Sequence, residues 1–213
     1  NTNLQTLICS NNQLSGLDVD KNGDLITLDC SGNQLSDLSI VWNKKLQYLN
    51  CSNNKINTLM VYFNTKLKEL DCSNNGMQDL MSLPLLVELE KLNCSNNKLK
   101  DLYLPESNKI KELDCSNNEL AYLENASNIG NLKGDNQQIN VKAYENEKII
   151  RKEDLSQLVI PDADSKVKEI SGGKIYHVGS DQGKGIKVDD NLPAKVTYKY
   201  EVKPGMYLDV TMN

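Results

Sequence analysis

The chain has 213 residues and a formal net charge of −5, with 38% hydrophobic and 25% charged residues, a composition typical of folded globular proteins. No apolar run approaches the length of a membrane-spanning helix, and the acidic balance argues against a nucleic-acid binder. A single histidine, His177, argues against histidine-based catalysis and zinc chemistry. We therefore expect no enzyme activity, no cofactor, no metal site and no membrane insertion in this sequence.

Six cysteines recur at a nearly constant interval in the first part of the chain. The spacings are 21, 21, 21, 22 and 21 residues, between Cys9, Cys30, Cys51, Cys72, Cys94 and Cys115. A fixed period in this range indicates a solenoid, in which each repeat forms one coil that is stabilised by stacking on its neighbours. The repeated pattern is Leu-x-x-Leu-x-Cys-x-x-Asn-x-Leu, as from Leu25 to Leu35.

Each repeat predicts one short strand and one buried polar side chain. Alternation places Leu28 and Cys30 inside and Asp29 outside, and successive coils would add parallel strands to one sheet. The asparagine three residues after each cysteine can bond backbone groups that the sheet leaves unpaired. Stacked, these side chains predict an asparagine ladder of Asn12, Asn33, Asn54, Asn75, Asn97 and Asn118.

A seventh, degraded copy of the pattern follows the sixth. It runs from Ile129 to Ile139, with Gly134 in the cysteine position and Gln137 in the asparagine position. Residues 1–140 therefore predict a solenoid of six repeats and a degenerate terminal repeat. Because the chain opens inside a repeat, at Asn1, we also expect coils or a cap upstream of it.

The cysteine column has two interpretations. Neighbouring coils bring Cα atoms within disulfide range, but parallel Cβ vectors suit the geometry of a bridge poorly. Small buried apolar residues explain the column equally well, so we expect free thiols stacked as a ladder, with at least one bridge as the alternative. Metal binding is disfavoured because the chain has no Cys-x-x-Cys pair.

The remaining arm of each coil is too short for a long helix. We expect extended or 3₁₀ segments there. The fourth repeat carries the extra residue near Leu80 to Leu85 and lacks the asparagine found at Asn22, Asn43 and Asn64, so we predict a local bulge.

This pattern resembles the leucine-rich repeat, and the 21-residue period with an inward cysteine column is most similar to the internalin family of Gram-positive bacteria. The resemblance implies a mainly β fold, a short-repeat solenoid with a parallel sheet on its concave face. It also implies a location outside the cell, at a bacterial cell surface or cell wall. The implied function is non-enzymatic, adhesin-like binding of a protein or envelope ligand; the alternative is a structural spacer or stalk that presents another domain from the cell wall.

The composition changes after residue 140, because 26 of the 30 leucines and all six cysteines precede residue 141. Period-2 alternation on both sides of Pro204-Gly205 predicts a β-hairpin. Other candidate strands are Ile139–Ala143, Lys166–Ile170, Lys174–Val178 and Gly185–Val188. Residues 141–213 thus predict a small β-sandwich, and the internalin resemblance implies that it is immunoglobulin-like. Its docking at Ile129–Ile139 would cap the open edge of the last coil.

Outward positions of the coils supply the candidate binding residues. Trp42 and Phe63 are the only Trp and Phe, and both stand 12 residues after a cysteine, so they should stack one coil apart. Met81 and Tyr103 lie in a neighbouring column. Such an exposed apolar strip often marks an interface, although the edge could instead pack on itself. The strand face is small, polar and mildly acidic. The candidate binding residues are therefore Trp42, Phe63, Tyr62, Met60, Val41 and, as the strand face's only aromatic residue, Tyr48.

Overall fold

The computed structural model describes residues 1–123, 125–126, 129–139, 167–171, 173–177, 184–188, 196–203 and 206–212. Their first strands are β1 (Thr6–Ile8), β2 (Thr27–Asp29), β3 (Tyr48–Asn50), β4 (Glu69–Asp71), β5 (Lys91–Asn93), β6 (Glu112–Asp114) and β7 (Asn131–Lys133). The later strands are β8 (Gln137–Ile139), β9 (Val167–Ser171), β10 (Gly173–His177), β11 (Lys184–Val188), β12 (Val196–Lys203) and β13 (Met206–Met212). In this part of the chain, no helix has the length and hydropathy needed to span a bilayer.

Strands β1 to β7 form one parallel sheet in chain order, one strand from each coil. The register is constant, because Leu28 pairs with Leu7 on one side and with Leu49 on the other. The same step continues to Leu132 in β7. The degraded seventh repeat therefore completes the solenoid as predicted.

The core consists of columns of side chains that stack from coil to coil. Leucine and isoleucine positions on both arms are buried, and the cysteines from Cys30 to Cys115 are fully buried. In the first coil, Leu7 and Cys9 are only partly buried, because no described coil covers them. Each coil thus buries its apolar edge against its neighbours, which is how repeats too small to fold alone become stable.

The predicted asparagine ladder is present. The amide nitrogen of Asn54 donates to the carbonyl oxygen of Cys51 in its own coil at 3.1 Å and to that of Cys30 in the preceding coil at 3.0 Å. Its oxygen accepts the backbone N–H of Leu35 at 2.9 Å. In the seventh coil Gln137 makes the equivalent bonds, donating to Cys115 and accepting from Leu120. Its longer side chain therefore substitutes for the asparagine.

The residue before each ladder asparagine has a left-handed backbone. Asn11, Asn53, Asn74, Asn96, Asn117 and Asn136 have φ between 52° and 58°, and Gly32 has φ 63° at the same position. Asparagine and glycine tolerate this region far better than other residues. The repeated Asn-Asn pair thus has two separate roles, a turn residue followed by a ladder residue.

The described arms contain consecutive tight turns and no long helix. In the second coil, Asn43 N–H donates to Ile40 and Leu46 N–H donates to Asn43. The one 3₁₀ turn among the described residues is Leu83–Leu85, with Pro84 in its first turn. Leu86 N–H donates to Leu83 as Asn64 N–H donates to Val61, so Leu83 takes the position of Val61 and the extra residue is Ser82, directly before the turn. The Ser82 hydroxyl accepts the N–H of Val61 at 3.2 Å, and the local bulge stays a prediction. Proline favours the 3₁₀ turn because its fixed φ suits the start of a helix.

The second part of the chain contributes a four-stranded sheet in the order β8-β13-β12-β9 and a separate pair, β10 and β11. The predicted hairpin is confirmed, since Tyr200 pairs with Leu208 and Tyr198 with Val210 in β12 and β13. The predicted strands at 166–170, 174–178 and 185–188 correspond to β9, β10 and β11, and Ile139 ends β8. Residues 140–143 lie outside the described residues. The domain boundary and the immunoglobulin-like sandwich stay predictions.

This four-stranded sheet contacts the end of the solenoid. Strand β8 leaves the seventh coil and pairs in parallel with β13. Tyr200 of β12 is 2% exposed, and its ring centroid lies 6.3 Å from that of Tyr122 in the last arm. The sheet thus covers apolar surface that a terminal coil would otherwise expose.

Candidate functional site

Eight large apolar side chains are exposed on the arms of coils two to five. Trp42 is 59% exposed, Phe63 54% and Met81 70%. We call this surface the arm patch; it consists of Trp42, Met60, Tyr62, Phe63, Met81, Leu85, Val87 and Tyr103. These side chains are exposed, whereas Val41 is only half-exposed; their role in binding stays a prediction.

The repeat period places six of the eight arm-patch residues in two rows. Met60, Met81 and Tyr103 stand nine residues after their cysteines, and Trp42 and Phe63 stand twelve. Leu85 belongs to the second row, because Leu86 N–H bonds to Leu83 as Asn64 N–H bonds to Val61. Residues at equivalent positions of successive coils lie about 4.8 Å apart, so each row is continuous.

Leu85 and Val87 are the patch residues that sequence reasoning missed. The extra residue of the fourth repeat shifts them by one position, so a fixed count from Cys72 does not place them in the rows. The buried leucines on either side, Leu83, Leu86 and Leu89, carry the signal that could have found them.

The side chain of Lys44 lies close to both aromatic rings. The ammonium group of Lys44 lies 6.0 Å from the ring centroid of Trp42 and 5.6 Å from that of Phe63. Both distances lie within the range of cation–π attraction, which contributes about 0.5–1 kcal/mol at exposed sites. Lys44 therefore holds the two rings of neighbouring coils beside one positive charge.

A second asparagine ladder fixes the backbone beneath these rings. Asn43 and Asn64 directly follow Trp42 and Phe63, and both are fully buried. The amide of Asn64 donates to the carbonyl oxygens of Ile40 and Asn43, each at 3.0 Å. Trp42 and Phe63 thus project from turns that are bonded to the preceding coil, which gives the patch a preorganised backbone.

The strand face forms a shallow polar groove of about 530 Å³ that extends across β1 to β7. The residues directly before the cysteines form hydrogen bonds within their own coils. Asp29 accepts both the N–H and the hydroxyl of Ser31, and Asp71 accepts those of Ser73. Asn50, Asn93 and Asp114 bind the following serine in the same way. This column therefore has a structural role in shaping the turn.

The outer column of the strand face carries three charged residues in successive coils, which lie close to one another. Lys91 lies 4.0 Å from Glu69 and 3.7 Å from Glu112, in the two neighbouring coils. Tyr48 is 38% exposed and less accessible than any arm-patch residue. Aromatic anchors carry most interface energy, and they are concentrated on the arms rather than on the strands.

The six cysteines, all within the described residues, are free thiols. Burial, together with smaller effects of the neighbouring Cys9 and Asp29, raises the pKa of the Cys30 thiol to about 12. Burial likewise raises the pKa of Cys51, Cys72 and Cys94 well above the usual range. A thiol must ionise to act as a nucleophile, so these groups serve as packing residues.

Comparison with known proteins identifies the repeat. The leucine-rich repeat family model matches residues 3–21 and 45–64. A solved internalin C2 of Listeria monocytogenes is 20% identical, with a TM-score of 0.57 over 72% of this chain and 67% of that one. The chain thus contains leucine-rich repeats, and its fold is similar to that of internalin C2. The resemblance predicted from the cysteine period is confirmed at this level.

Two other solved structures are also similar. A leucine-rich repeat protein of Leptospira interrogans is 30% identical, with a TM-score of 0.55 over 65% of this chain and 37% of that chain. The functional domain of InlJ from Listeria monocytogenes, described as including a cysteine ladder, is 21% identical with a TM-score of 0.47, and covers 99% of this chain and 66% of that one. The present chain thus spans 66% of the length of the InlJ structure and 37% of that of the Leptospira protein. No curated protein sequence matches it.

Proposed function

We propose that the chain is a non-enzymatic, adhesin-like protein-binding module at a bacterial cell surface or cell wall, with the arm patch as its binding surface. The observation that carries this proposal is the exposure of eight large apolar side chains, six of them in two continuous rows. Soluble monomers rarely expose an apolar patch of this size unless it serves an interaction. The internalin-like fold supports a role in protein–protein interaction.

The patch has the composition of an interface centre. Trp42, Tyr62, Phe63 and Tyr103 supply aromatic anchors, and Met60 and Met81 are flexible apolar groups that adapt to a partner. On the strand face Tyr48 is the single aromatic candidate, and the charged groups around it pair with one another. We therefore place binding on the arms and assign a minor role to Tyr48. The same proposal includes an immunoglobulin-like domain at 141–213 that caps the repeats.

Binding of the fluorescently labelled chain to intact epithelial cells and to isolated Gram-positive cell walls tests this function. We expect saturable binding to at least one of the two, lost in the variant Trp42→Ala/Phe63→Ala and retained in Tyr48→Ala. Both variants keep every buried residue, so circular dichroism should be unchanged. The opposite pattern, loss in Tyr48→Ala alone, would move the site to the strand face. No binding to either surface by the wild-type chain would favour the spacer or stalk function.

A further inference from the structure

The arm patch has the size of one side of a complete protein–protein interface. The eight residues together expose roughly 900 Å². The largest apolar patch of a typical monomer is about 300–600 Å², and a standard interface buries about 800 Å² on each partner. A partner that covers the whole patch must therefore present an apolar surface of similar extent.

The two edges of the arm patch carry opposite charges. Asp37, Asp79 and Asp101 each stand seven residues after a cysteine, before the first apolar row, and all three are exposed. Lys44 and Lys66 stand 14 and 15 residues after theirs, beyond the second apolar row, and are also exposed. The basic edge also carries Asp24 and Glu88, which pair with Lys45 and Lys109 of the same edge, so its net charge stays positive. In the second coil the arm thus runs from the acidic Asp37, across the apolar rows, to the basic Lys44.

We propose that the occupant of the arm patch is a second copy of this chain, related by a two-fold axis parallel to the stack of coils. This inference rests on the proposed function, in which the arm patch is the protein-binding surface. Under this axis each arm faces the equivalent arm of the partner with its chain direction reversed. The acidic edge of one copy then lies against the basic edge of the other.

The net charges of the two edges disfavour the other simple arrangement. A two-fold axis in the interface but across the stack would place acidic edge against acidic edge and basic edge against basic edge. Like charges placed together at an interface are costly, whereas complementary edges guide association and fix its orientation. Asp37 of one copy is therefore paired with the partner's Lys44 in the second coil.

The apolar rows are complementary under the same axis. The first row of one copy lies against the second row of the other, so Met60 faces the partner's Phe63 in the third coil. Methionine sulfur packs favourably against aromatic rings. In the second coil the small Ser39, nine residues after Cys30, faces the partner's Trp42, which leaves room for the larger ring.

Sedimentation velocity of the purified chain tests the second copy as the occupant. We expect a concentration-dependent shift from 23.9 kDa to twice that mass, with a blue shift of the single Trp42 emission over the same concentrations. Trp42→Ala/Phe63→Ala should raise the dissociation constant at least thirtyfold. Ile8→Ala, which removes a 67% exposed side chain from β1, should leave it unchanged.

A charge exchange tests the orientation. Asp37→Lys and Lys44→Asp should each weaken the dimer about tenfold, since each change places like charges at both symmetry-related edges. An equimolar mixture of the two variants restores both pairs, so its affinity should return to within about threefold of wild type. A mixture as weak as either variant alone would overturn the proposed axis.

The result that overturns the proposal is a wild-type chain that stays monomeric at millimolar concentration. If such a monomer still binds cells or cell walls through Trp42 and Phe63, the second copy is wrong and the proposed function stands. If it is monomeric and shows no binding that depends on the patch, both fail. A dimer that Trp42→Ala/Phe63→Ala leaves intact would also contradict the proposal, because its interface would lie elsewhere.

Discussion

The asparagine ladder predicts a specific difference between an internal coil and the first coil. Asn54→Ala removes the donors to Cys30, Cys51 and Ser52 and leaves the fully buried Leu35 with an unpaired N–H. A buried orphan donor costs about 1–3 kcal/mol, and each lost hydrogen bond adds about 0.5–1.5 kcal/mol. We therefore expect Asn54→Ala to lower the free energy of unfolding by about 3 kcal/mol.

Asn12→Ala is the matched control, because Asn12 occupies the same repeat position in the first coil. Its amide donates only within its own coil, to Cys9 at 3.0 Å and Ser10 at 3.1 Å. With no buried donor orphaned, its loss should cost about 1 kcal/mol. Urea titrations followed by circular dichroism should separate the two midpoints by about 1 M, for a slope near 2 kcal/mol per molar urea. Equal midpoints would refute the inference that bonds between coils hold the stack together.

Three further predictions concern the thiols, the turns and the cap. Burial raises the pKa of the Cys30 thiol from an ordinary 9.0 to about 12, so the folded state holds this proton more tightly than the unfolded state. The contribution of this thiol to stability is complete below pH 9 and is lost as the pH rises towards 12. The urea midpoint should therefore fall between pH 8 and 10.5 less steeply in Cys30→Ala than in wild type. Identical pH dependence of the two midpoints would contradict the burial of this thiol. Asn74→Ala should lower the free energy of unfolding by about 1 kcal/mol because Asn74 has φ 52°. Asn74→Gly should be nearly neutral in the same titration. If both variants lose the same free energy, the side chain and not the backbone conformation is responsible. Tyr200→Ala removes a buried ring next to Tyr122 and should cost about 3 kcal/mol; calorimetry should then resolve a separate, earlier transition of the second sheet, and an unchanged single transition would argue against a stabilising cap.

The repeat could be predicted from the sequence because its physics is local and occurs six times. The cysteine, leucine and ladder-asparagine positions recur at the same place in each repeat, so a single coil predicts the others. The degraded seventh copy was recognisable for the same reason, and Gln137 replaces the asparagine in the structure with the same bonds.

The parts that sequence could not supply depend on irregularity or on distant contacts. The extra residue of the fourth repeat, Ser82, precedes a 3₁₀ turn with Pro84 that the repeat period does not place, and it moves Leu85 out of the expected row. The acidic column of the strand face suggested a charged surface, yet Asp29 and Asp71 bond the serines two residues on. The contact between Tyr122 and Tyr200 is between residues 78 positions apart in the sequence, and the repeat pattern does not predict it.

The fluorescence of Trp42 tests the central claim, that binding takes place on the arm patch. The chain has one tryptophan, and it is 59% exposed in the unbound structure. If the patch is the binding surface, then acrylamide should quench Trp42 readily in the dilute free chain. Binding to cells, to cell walls or to a second copy should shift the emission to the blue and reduce that quenching. A chain that binds with unchanged emission and unchanged quenching would show that Trp42 stays in water, and would contradict the claim.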